Sequence, residues 1–228
     1  MIKKPSISVN KMAEYIVSRA ARQRQILRTR KYPDPEFTIG MYHKEASEAV
    51  ALYIANGALD AAPLDKALKS LQQQAPKKIG TARRIVSNID TLERFLGMLD
   101  DIDLKGGEPS LGSTRAPNLV YHNVAISVRP EIILRGTGPK GQACVGALKF
   151  HFSKTRPFDD EAAGYVSAML QEHCRAHLAT DGEFVHPGYC QVIDVASEKV
   201  YPGVKATTKR LKDIAAECQN IAGLWPTI

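Results

Sequence analysis

Long hydrophobic runs are missing from this chain, and nothing in it approaches the roughly 18 consecutive apolar residues that a membrane-spanning helix needs. The opening stretch MIKKPSISVNKMAEYI has basic side chains but no continuous apolar core and no small-residue cleavage site, so neither export nor membrane insertion is predicted. Cysteine is sparse: Cys144, Cys174, Cys190 and Cys218 are widely spaced, and no pair has the short separation of a zinc knuckle. They read as buried thiols of a reducing, cytoplasmic setting. Also absent are a Walker-type glycine loop, a dinucleotide fingerprint and a GxSxG motif; RGTGPKGQ is glycine-rich but reads as a hairpin turn with no helix behind it. Most telling is a local lack of acid. SRAARQRQILRTRK, residues 18–31, holds Arg19, Arg22, Arg24, Arg28, Arg30 and Lys31 without a single Asp or Glu.

What is present is enough for a sizeable core. At 228 residues the chain is long enough for one or two compact domains. The net charge of +7 favours acidic partners, of which nucleic acid is the commonest. The acid-free segment is read either as a phosphate-binding surface or as a solvated helix face.

The periodicities give an order of elements. Ser8 is a plausible N-cap for a first helix carrying Met12, Tyr15, Ile16, Ile26 and Leu27, ended by the prolines of KYPDPEF. A second helix is predicted from about Gly40 to Asn56, with Gly57 as its C′ residue, and Pro63 opens a third. A fourth carries Ile85, Ile89, Leu92, Leu96 and Leu99 on one stripe. DLKGGEPSLGSTRAPN then shifts to Gly, Ser and Pro and reads as a loop. Beyond it LVYHNVAISV, PEIILRG and ACVGALKFHF are strand-like, with Tyr121 and His122 as alternating strand residues. A helix starting near Asp159 or Asp160, the strand GYCQVIDVA and a final helix complete the chain, with Trp225 packing that helix on the core. The expected fold is α+β: a helical region over residues 1–105 packs on a mixed α/β core over residues 106–228, together one compact unit.

The strand CVGALKFHFSK poses the functional question. A period of two puts Cys144, Gly146, Leu148, Phe150 and Phe152 on one face, and Val145, Ala147, Lys149 and His151 on the other. One face is core. The second carries two bases side by side.

The order helix, three-stranded meander, helix, strand, helix, together with several short motifs, resembles the PD-(D/E)XK nuclease superfamily, in particular its RecB-like branch. GMYHKE matches the branch's upstream G-x-x-H, through Gly40 and His43. The acid at a strand start is matched by Glu131 after Pro130, and Lys149 stands where the lysine of the third motif belongs. Two positions depart from the pattern: the third-motif acid is Ala147, and the tyrosine of the family's Q-x-x-x-Y motif is Arg175, although Gln171 matches the glutamine. The resemblance implies a restriction-endonuclease-like core and, where catalysis survives, hydrolysis of phosphodiesters with Mg²⁺ or Mn²⁺. His43 and Glu131 would then bind the metal, His151 would add a nitrogen ligand, and Glu131 and Lys149 would serve catalysis.

The expected function is therefore binding of DNA or RNA, with phosphates gripped by Lys149, Gln171 and the segment Arg19–Lys31. Metal-dependent cleavage stays open beside it. So does a protein partner, in which case the chain is a non-catalytic adaptor or regulatory subunit of a mobile-element or phage-defence system. Each residue also has a plainer reading. Lys149 can snorkel from a strand edge, His151 can be a packed, hydrogen-bonded histidine, His43 a capping one, and Glu131 a strand-start carboxylate paired with Arg135.

Overall fold

Both faces of the strand at residues 143–151 are covered by helices, and this decides how the molecule is layered. The protein is known here from a computed structural model, which describes residues 4–33 and 42–228. In chain order, β1 (Ser6–Ser8) leads into α1 (Val9–Ile16) and α2 (Ala20–Lys31), followed by α3 (Lys44–Ala55), α4 (Ala62–Gln72) and α5 (Ile79–Gly97). Five strands come next: β2 (Glu108–Leu111), β3 (Leu119–Tyr121), β4 (Val124–Ser127), β5 (Ile132–Thr137) and β6 (Ala143–His151). Helix α6 (Asp160–His173) crosses to β7 (Phe184–Val185), β8 (Val192–Asp194) and β9 (Lys199–Tyr201), and α7 (Thr208–Leu224) follows.

The main sheet has the order β2–β5–β6–β8–β9, with β7 also on β6. β2, β5 and β6 run antiparallel in turn, whereas β8 lies parallel to β6 because α6 carries the chain back across the sheet. A second, three-stranded sheet has the order β1–β4–β3, with β1 parallel to β4. The architecture is mixed α+β.

The period-two reading of β6 holds on both sides. Val145 and Ala147 join a core built with Met12 and Leu27 from the N-terminal segment, Val166 and Met169 of α6, and Ile214 and Ile221 of α7. Cys144, Leu148 and Phe150 join the other core, with Val50 and Ile54 of α3, Leu64 of α4 and Leu92 and Phe95 of α5. Gly146 belongs to the second face and is required there, because a Cβ would stand 2.2 Å from that of Tyr189, which crosses the strand. The four cysteines are free and buried, as expected from their spacing, and Trp225 is buried against the first core.

Three local expectations are corrected. The single first helix is two, with a corner at residues 17–19. There Gln23 donates its side-chain amide to the Tyr15 carbonyl at 3.0 Å, and Arg22 of α2 reaches back to Glu14 of α1. Ser8 occupies the N-cap position of α1, but its hydroxyl makes no capping bond. The stretch LVYHNVAISV is a hairpin rather than one strand: His122 and Asn123 form its two-residue turn with φ of +47° and +62°. That double left-handed geometry is the type I′ turn favoured between antiparallel strands. Finally, the Gly/Ser/Pro-rich loop hides β2. Its mostly exposed residues and Pro109 suit an edge position and leave no alternation to read. The expectations after α3 and at the starts of α4 and α6 fare better: Pro63 lies in the first turn of α4, Gly57 has φ +83° after α3, and Asp159 caps α6 by accepting the Ala162 amide at 2.8 Å.

Candidate functional site

Glu131 and Lys149 meet because of strand register. Ile132 pairs with Leu148 and Ile133 with Ala147, so Glu131, just before β5, faces Lys149 near the end of β6. Lys149 donates to Glu131 Oε1 at 2.6 Å and to the Arg129 carbonyl at 2.8 Å; Glu131 Oε2 accepts the Phe150 amide at 2.9 Å. Both side chains are mostly shielded, at 12% and 19% exposure, so the pair is stronger than a surface ion pair. Arg135, expected to pair with Glu131, instead binds Glu183 at 3.0 Å and the Leu178 carbonyl at 2.9 Å.

Ala147, two residues before Lys149, is fully buried in the apolar core under α6. His151 turns into the protein as well. Its ring stacks on Phe158 with centroids 3.7 Å apart, and Nε2 donates to the Arg156 carbonyl at 2.7 Å. Nδ1 is then left as acceptor for the Asn10 amide at 3.4 Å. Burial holds its pKa below the ordinary histidine value, against the opposing pull of the Arg156 carbonyl and of Asp194.

His43 stands just before α3, half-buried on the opposite core, stacked on Phe152 at 5.5 Å and with Nδ1 3.1 Å from Thr91 Oγ1. Burial and then Lys154 lower its pKa. Gly40, its partner in the G-x-x-H reading, lies outside the described residues. The ligating atoms of Glu131 and His151 are thus already engaged, His43 is held on Thr91, and the second carboxylate position is alanine. As they stand, these side chains do not fit a Mg²⁺ or Mn²⁺ centre, which wants several free oxygens at octahedral positions. No group of three His, Cys, Asp or Glu side chains suited to a metal occurs among the described residues. Gln171 is internal too: it is 3% exposed and donates to the Val204 carbonyl at 2.7 Å.

The basic segment divides by face. Arg22 clamps the buried Glu14 together with Lys11, at 2.5 Å for each partner. Although burial alone would raise the Glu14 pKa, these two cations hold it below the ordinary carboxylate value. Arg30 donates to the Ser6 carbonyl, and Lys31 to the carbonyls of Trp225 and Ile228. Arg19, Arg24 and Arg28 are exposed. Arg24 and Arg28, four residues apart, share one helix face.

Two cations extend this surface that sequence reasoning did not single out. Arg156, on the loop before α6, lines with Arg19, Arg22, Glu14 and Phe158 a cleft of about 350 Å³ between α1–α2 and the start of α6. Arg129 is exposed, has a left-handed φ of +43°, and lies near enough to Arg30 to depress its pKa, after burial as the larger cause. Its carbonyl holds Lys149, so it joins the basic segment to the Glu131–Lys149 pair. The only sequence signal for Arg129 was its place two residues before Glu131; for Arg156 there was none.

No protein-family model matches this chain, and no curated protein sequence matches it. Among the described residues no helix is long and apolar enough to cross a membrane.

Proposed function

We propose that this chain binds nucleic acid through its phosphates, on a restriction-endonuclease-like core that has lost the acid of its third motif at Ala147. The observation that carries the reading is the outward face of α2. Arg24 and Arg28 project from a helix without acids, and Arg19 at its N-cap shares a cleft with Arg156. The antiparallel β2–β5–β6 arrangement, the α6 crossover and the parallel β8 support the core assignment, with β2 in the place expected for LVYHNVAISV, which pairs instead as β3–β4 in the second sheet. Glu131 and Lys149 match its remaining motif positions and hold each other at 2.6 Å.

The test is binding of labelled single- and double-stranded DNA and RNA across a salt series, in Mg²⁺, Mn²⁺ or EDTA. Binding should weaken steeply as salt rises, with the nucleic acid left intact in every metal condition. Reversing Arg24 and Arg28 to Glu should lower the log–log salt slope by about 2 on duplex DNA. Metal-dependent cutting that disappears in Lys149→Ala would replace this reading with an active nuclease. An absence of binding at low salt would move a protein partner for the basic face to the front.

A further inference from the structure

The last turn of α6 carries an unexplained pair of histidines. His173 is fully buried, yet neither ring nitrogen has a hydrogen-bond partner. A buried polar atom left unpaired costs about 1–3 kcal/mol, so two on one ring call for an explanation. His177, four residues on and exposed, faces it with ring centroids 5.1 Å apart and planes at 60°. After His173 the helix widens into a π-turn, Cys174–Leu178, that carries His177 and is closed by the Ala179 amide on the Cys174 carbonyl at 2.8 Å. Such turns are rare and recur at binding sites.

The spacing has a chemical meaning. A transition-metal ion about 2.0–2.1 Å from an imidazole nitrogen stands about 3.2 Å from the ring centre, so two rings sharing it at a tetrahedral angle have centres about 5.2 Å apart. The observed separation is within that geometry. We propose that His173 and His177 form a two-histidine clip for a borderline divalent ion such as Zn²⁺ or Ni²⁺, with solvent filling the remaining positions. Nitrogen donors suit these ions and not Mg²⁺. The nearby charges, Glu172 and Arg175, are engaged with each other. This clip is independent of the nucleic-acid reading and lies apart from Glu131 and Lys149.

The experiment is calorimetric titration of untagged protein with ZnCl₂ or NiCl₂ alone, with the thermal midpoint followed in parallel. Wild-type protein should bind one ion per chain and melt higher with it, and His177→Ala should bind at least about tenfold more weakly. Lys149→Ala should bind as wild type does. No heat and no change in midpoint, or equal binding by His177→Ala, would overturn the proposal. Should His177→Ala not fold, imidazole ¹⁵N spectra of the wild type decide. Shifts confined to His173 and His177 on adding Zn²⁺ uphold the clip, and unchanged His173 signals refute it.

Discussion

Glu131 and Lys149 bind each other, and the Phe150 amide and the Arg129 carbonyl take their remaining contacts, so the pair acts first as a fastening between β5 and β6. Removing one member strands its partner in a mostly dry place, at a cost of about 1–3 kcal/mol. Glu131→Ala, Lys149→Ala and the double variant, compared by urea unfolding, should give a coupling of about 1–2 kcal/mol, the double losing less than the sum of the singles. Much of this residue scale was legible in the sequence. Period-two spacing sorted β6 onto its two faces, and the Pro-Glu before a β-branched run marked the strand start. What it could not give is where a side chain ends. Lys149 and His151 share a face in sequence, but one reaches Glu131 and the other folds under Phe158, because the loop after β6 brings Arg156 and Phe158 back over the sheet. Gln171 was misjudged for a similar reason: its carbonyl partner, Val204, lies far along the chain.

At the scale of the element, β6 is buried from Cys144 to Leu148, opens partly at Lys149 and is buried again at Phe150 and His151. Ala147, the position before Lys149 on that face, is fully buried in the apolar layer it shares with α6. Ala147→Asp would put a carboxylate into this apolar layer and should cost at least about 3 kcal/mol, seen as a large drop in thermal midpoint. A recovery of that stability on adding Mg²⁺ would instead mean that the strand keeps a latent ion site. Helix α2 shows the converse case. Its charge pattern was plain in sequence, but which cations face outward was not, since the corner after α1 turns Arg22 inward onto Glu14. Reading residues 8–31 as one helix hid that corner, which side-chain bonds from α2 create and no proline or glycine announces.

Across the whole molecule, the half-buried His43 and the buried His151 tie stability to pH. His43 lies among Lys154, Asp90 and His151, and His151 among Asp194, Lys11 and Glu14; in both the folded pKa lies below the ordinary 6.5. The unfolded chain takes up protons below about pH 6.5 that the folded chain refuses until lower pH, so unfolding is favoured as pH falls through that window. The thermal midpoint should decline from pH 6.5 towards 5, and His151→Phe, which keeps the stack on Phe158, should flatten the decline. A midpoint that rises over the same range would contradict the buried, neutral state of these rings.

The parallel pairing of β1 with β4 also has a consequence in time. A ribosome delivers residues 6–27 well before the surfaces they cover, on β4, α6 and α7. The layer around α3, α4 and α5 can close against β5 and β6 well before α7 is made. The amphipathic α1 must wait, its apolar side uncovered, until α6 and α7 have been made. Its docking is thus a long-range step, and the growing chain is open to aggregation during that interval.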